Sequence, residues 1–275
     1  KQDMLHTAAM LLCIDKFRLE DVVTGNRHKI TFDFSCKVVR ELEDSLIVIT
    51  AADRHPVYNC TGTPPEGFYE QLITGSIKEI LQQFDAWAGS NADHPWFMNH
   101  LAVLFGNEAD RPGDKDTLQW RPSRLLTWND FQGPAPLSSP FSAQSNCIYK
   151  LKTVPSFSTD TMYITEVLVP CFTRKSSWVK SDAKQDSLLA HEQAHFDLCE
   201  LYARKFRQEL SVTPMTILGF DREIQKVFMK TVKDYQEEQV RYDGETSHGT
   251  IPDRQAEWEA RTQKNLEELS VFSTK

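Results

Sequence analysis

From position 29 to 38 apolar and polar residues alternate. Ile30, Phe32, Phe34, Cys36 and Val38 share one face and polar residues take the other, the period-two pattern of a half-buried strand. Further strands are predicted over 45–51 and 56–60. The Pro64-Pro65-Glu66-Gly67 stretch then opens a helix over 68–87, where Leu72, Ile77, Ile80, Leu81 and Phe84 recur at helical spacing. The pattern predicts another helix over 95–105. Residues 106–117 are polar, contain Gly and Pro, and read as a linker. Beyond a loop rich in Pro and Ser, a hairpin is predicted with strands over 146–154 and 162–169. Long helices follow over 187–210, with Asp186 as N-cap, and over 221–241. A loop over 242–252 leads to a last helix over 254–269. The expected fold class is α+β: a small N-terminal α+β domain of unknown role over 1–115, then a second α+β domain over 116–275.

Composition adds boundaries. With 40% hydrophobic and 25% charged residues the chain can bury a core. A net charge of -8 argues against nucleic acid or an anionic membrane as partner, since both need a basic surface. No apolar run approaches the ~20 residues of a transmembrane segment. The apolar stretch over 8–14 lacks a basic leader and a cleavage site, so it is not an intact signal peptide. None of the six cysteines forms a C-x-x-C pair, which argues against a cysteine zinc site. Cys147 and Cys171 flank the predicted hairpin; a cross-strand disulfide is one reading and buried free thiols the favoured one.

The chemistry concentrates at His191-Glu192-Gln193-Ala194-His195. An H-E-x-x-H pattern on a helix sets two imidazoles one turn apart, where both can bind one zinc ion, with the Glu beside them to take a proton from water. Five letters alone match by chance about 2% of the time in such a chain, so context matters. The segment 186–210 has no Gly or Pro and is rich in helix formers. On a helical wheel His191 and His195 share a side with Leu188, Leu198, Tyr202 and Phe206. Gln193, Asp197, Glu200 and Arg204 form an opposite stripe expected to face water, with Glu200 and Arg204 as an i,i+4 ion pair.

Catalytic zinc takes three protein ligands. The loop Tyr242-Asp243-Gly244-Glu245-Thr246-Ser247-His248-Gly249 supplies the candidates. His248 is the first choice, and Gly249 lets the backbone turn tightly beside it. Asp243 and Glu245 stand as alternative ligands or as carboxylates that orient a ligating histidine. Tyr242 is a candidate hydrogen-bond donor to a developing oxyanion.

These residues resemble a bacterial family of predicted secreted zinc-dependent proteases. The resemblance is carried by Trp128-Asn129-Asp130-Phe131, Ser177-Trp178-Val179, the segment 189–197 with Glu200, Ala203 and Arg204, the segment 242–249, and Gln255 and Trp258. It covers about residues 120–272. It implies a zincin-like domain and export to the periplasm or beyond, with the leader absent from this chain, and it adds weight to His248. The expected function is zinc-dependent hydrolysis of a peptide or protein substrate, with His191, His195 and His248 holding Zn²⁺ and Glu192 as general base. By analogy with that fold, an extended substrate would lie along the strand 162–169. The alternatives are a non-catalytic zinc module and a metal-free protein that binds peptides or envelope polymers.

Overall fold

The computed structural model describes residues 10–42, 45–92, 94–106, 115–158 and 160–273. The architecture is α+β. The chain divides into two compact units, one of residues 1–100 with 157–162, the other of residues 101–156 with 163–275. Most of the expected linker lies outside the described residues.

The first unit is an antiparallel sheet in the order β1 (Met10–Thr24), β2 (Arg27–Leu42), β3 (Ser45–Arg54), with β4 (Val57–Thr61) also on β2. The alternating stretch is the centre of β2. Its apolar face, Phe32, Phe34, Cys36 and Val38, packs with Ile80 of α1 (Phe68–Ser90). The strand β1 was not anticipated. It has an irregularity between Ile14 and Lys16, and most of its residues are exposed. This is why its sequence lacks the burial alternation that marks β2.

The predicted helix over 95–105 is a single 3-10 turn, Pro95–Phe97, followed by strand β5 (His100–Phe105). Pairing overrides local propensity here: β5 joins β9 (Thr161–Thr173), and the N–H groups of Asn99 and His100 both donate to the carbonyl of Asp160.

In the second unit β9 pairs with β8 (Cys147–Ser158), β5 and β6 (Thr117–Gln119). It is an interior strand, so it offers no free edge for an extended substrate over 162–169. A separate two-stranded ladder joins β7 (Ala143–Gln144) to β10 (Trp178–Val179). Three helices follow: α2 (Asp186–Val212), α3 (Phe220–Thr246) and α4 (Pro252–Glu268). The residue capping α2 is Gln185, one before the expected Asp186. α3 runs about a turn and a half beyond its expected end, so Tyr242, Asp243 and Glu245 are helical rather than in a loop.

The core of this unit wraps α2. Phe172 of β9 contacts Phe131 and Phe196, and Leu198, Cys199, Leu201 and Tyr202 of α2 pack with Tyr235 and Tyr242 of α3 and Trp258 of α4. The expected water-facing stripe of α2 is covered. Glu200 is 0% exposed and Arg204 is buried. Their ion pair forms as expected, with Arg204 Nε 2.7 Å from Glu200 Oε1. The reason they are inside is that the surroundings satisfy them. Arg204 also donates to the Leu266 carbonyl and lies over the Trp120 ring. Arg207 donates to the carbonyls of Leu168 and Phe272. Asp197 accepts from Trp120 Nε1 and Gln193 Nε2, both at 2.7 Å. All six cysteines are free thiols. No helix among the described residues is long and apolar enough to cross a membrane.

Candidate metal centre

His191, Glu192 and His195 are all on α2, and all three are buried. One turn of helix separates the two histidines, and their Nε2 atoms stand 3.3 Å apart. The last turn of α3 brings Asp243 Oδ1 to 3.2 Å from His191 Nε2 and 3.0 Å from His195 Nε2. Helix α3 then ends in three successive left-handed residues, Ser247, His248 and Gly249, with φ of 50°, 54° and 77°. For Ser and His this conformation is strained, and such strain collects at functional sites. It carries His248 back so that Nδ1 lies 3.5 Å from Asp243 Oδ1. One ligand atom each from His191, Asp243 and His248 falls within 4.8 Å of the others. His248 is half exposed, and its ring packs on Phe141.

Gly249 is required twice over. Its φ of 77° favours glycine, and a Cβ there would come 2.8 Å from the Cβ and 2.9 Å from the Cγ of His191. The backbone of this turn therefore presses directly on the imidazole.

A chain of hydrogen bonds fixes how His191 is presented. Gln255 Nε2 donates to Glu259 Oε1 at 2.8 Å, which turns Gln255 Oε1 inward. That oxygen accepts from Tyr242 Oη at 2.7 Å and stands 3.3 Å from His191 Nδ1. An amide oxygen can only accept, so the proton of His191 sits on Nδ1 and Nε2 presents a lone pair. The Tyr242 ring stacks on His191, with centroids 4.7 Å apart, and meets His195 edge-on. Tyr242 is 0% exposed. Burial pushes its phenol well above the ordinary range, against the hydrogen bond to Gln255. Its hydroxyl is thus committed behind His191.

Three buried atoms have no hydrogen-bond partner here: His195 Nδ1, Asp243 Oδ1 and Ser145 Oγ. The second is informative. Two imidazole nitrogens lie within 3.2 Å of it, yet none makes a well-formed hydrogen bond to it.

Glu192 points the other way, toward β7. Its Oε2 accepts from the Ser145 N–H at 2.7 Å. Just before β7 the Ser142 carbonyl accepts from the Lys180 N–H, and within it Gln144 stands opposite Trp178. Backbone alternation then directs the polar groups of Ala143 and Ser145 away from β10, toward the Glu192 side. A cleft of about 1020 Å³ separates these walls, with His191, Glu192, His195, Asp243 and His248 lining it.

Of the residues singled out in the sequence, Glu245 is not in this group; its Oε2 accepts from Trp258 Nε1. Gln255 was legible only as part of the resemblance, and nothing in its neighbourhood signals its contact with His191 across 64 positions. Ser145 contributes a backbone N–H, which no side-chain pattern marks.

Together these residues define an α+β domain with a buried histidine–carboxylate cluster at the floor of an open cleft. A bacterial family described as "Bacterial protein of unknown function (DUF922)" matches residues 172–249. That span holds α2, Asp243 and His248 and excludes Ser145 and Gln255. No curated protein matches the chain, and no solved structure matches it.

Proposed function

We propose that the second unit is a zinc-dependent hydrolase of amide bonds, a zincin-like peptidase acting on peptide or protein outside the cytoplasm. The observation that carries this is the convergence of three ligand-type atoms, the Nε2 atoms of His191 and His195 and Oδ1 of Asp243, at mutual distances of 3.0 to 3.3 Å with no hydrogen bond reaching the oxygen. Tetrahedral zinc with bonds of about 2.0–2.1 Å needs ligand atoms about 3.3–3.4 Å apart. Two imidazoles and a carboxylate are also a donor set suited to it. His191, His195 and Asp243 would hold the ion, and His248 would be the exposed partner of the Asp243 carboxylate at the cleft rim. His248, the sequence-based choice for third ligand, has a ligand atom within 4.8 Å of those of His191 and Asp243 and stands as the alternative to Asp243 or as a further ligand.

Zinc held there would polarise a scissile carbonyl and acidify a bound water. Glu192 is the base: it is buried, faces the cleft, and is held in place by the Ser145 N–H. It would take the proton from water and pass it to the leaving amine. Tyr242 is a positioning residue in this reading, because its hydroxyl is spent on Gln255. The backbone of Ala143 offers a donor and an acceptor to an extended peptide beside Glu192, the service first expected from 162–169.

The test is Glu192→Gln in zinc-loaded protein against an unstructured protein substrate. Cleavage should fall by roughly a hundredfold or more with zinc content unchanged. Equal cleavage by the variant would remove Glu192 from the chemistry. Zinc bound tightly by a wild type that cleaves nothing would favour a non-catalytic metal module.

A further inference from the structure

We infer that the cleft selects substrate segments with uncharged side chains on both sides of the scissile bond, an inference that rests on the hydrolase reading for the bond broken but not for the binding preference. Apart from the His191–Glu192–His195–Asp243–His248 group, no residue lining the cleft among the described residues carries a charged side chain. A quarter of the chain is charged, so an uncharged lining of this extent is a strong departure from the rest of the surface.

The walls are built from amides, hydroxyls and a few apolar groups. Gln236, Gln239 and Val240 lie on α3 one turn apart and lead along one helix face to Asp243. Opposite them, Phe141 and Asn146 come from the strand segment around β7, and Leu188 from the first turn of α2. Amides both donate and accept, so they serve peptide groups and neutral polar side chains equally. An ionised side chain entering this cleft would lose hydration and find no counter-charge, which is costly. The reaction centre does not supply one either. Asp243 and Glu192 together would offset a divalent cation, leaving the floor close to neutral.

The experiment uses a set of octapeptides that differ only at the two central residues: Ala, Gln or Phe in one group, Lys or Glu in the other. Two readouts are taken with zinc-loaded wild type, cleavage of the peptides and equilibrium binding of the same peptides with the central amide replaced by a non-cleavable ketomethylene group. Neutral centres should bind about tenfold or more tighter than either charged kind, with cleavage following the same order. Gln239→Glu should move Lys-centred peptides toward parity. Binding that ignores charge, or no binding by any peptide, would overturn the inference. If neutral peptides bind selectively and none is cleaved, the hydrolase reading fails and the selectivity stands. Cleavage without charge discrimination would sink the selectivity alone.

Discussion

Helix α2 presents two buried polar faces, and they differ in one respect. On the face toward Trp120 and α4, every charged group has a partner: Asp197 meets Trp120 and Gln193, Glu200 meets Arg204, and Arg207 meets two carbonyls. Toward α3, His195 Nδ1 and Asp243 Oδ1 have no hydrogen-bond partner, although three imidazole nitrogens stand 3.0 to 3.5 Å from the Asp243 oxygen. Buried polar groups that are satisfied hold a fold together. Buried ligand atoms that converge without satisfying each other are what the proposed metal reading rests on. On the proposed reading, the difference separates structure from chemistry on opposite sides of α2, with α3 contributing Asp243.

Variants can break either side of this contrast. The largest expected effect on stability is on the satisfied face. Glu200→Ala leaves Arg204 buried without its carboxylate and should cost about 3 kcal/mol, measured by chemical denaturation, while zinc affinity stays near wild type. A loss of zinc affinity larger than that of stability would mean the two faces are not separable. On the other face, Gln255→Leu removes the acceptor for His191 Nδ1. Zinc affinity should fall roughly 10- to 100-fold, read by competition with a chelating dye, with a stability loss of about 1–3 kcal/mol from the unpaired Tyr242 hydroxyl and His191 N–H.

A smaller effect belongs to Glu166 on β9, buried away from the cleft group. Burial pushes its carboxyl up to about 7, against a partial offset from Thr153. Between its ordinary value of 4.5 and about 7 the folded state keeps a proton that the unfolded chain releases. Stability should therefore decline as pH rises through that window and level off above it. Glu166→Gln should be about 2 kcal/mol more stable than wild type near pH 8, and the difference should vanish only about a unit below the ordinary value of 4.5. A pH profile unchanged by the substitution would show that the carboxyl is not strained by burial.

The contrast also explains what could be read in the sequence. His191, Glu192 and His195 were legible because one helical turn fixes their relation. The inward face of β2 was legible because period two marks a half-buried strand. Burial of Glu200 was not, since the wheel assigns polar residues to water and cannot know that Trp120 and Leu266 will cover them. The approach of Asp243 depends on α3 continuing through Gly244, which propensity disfavours. The strand β5 depends on its pairing with β9, a partner distant in the chain.

The central claim is that the unsatisfied face of α2 is a metal site, and direct zinc titration of the purified protein beside His195→Ala and Asp243→Ala tests it. One zinc per wild-type chain, with affinity collapsing in both variants, is the predicted result. Wild type that binds no zinc, or variants that bind it as tightly as wild type, would contradict the account.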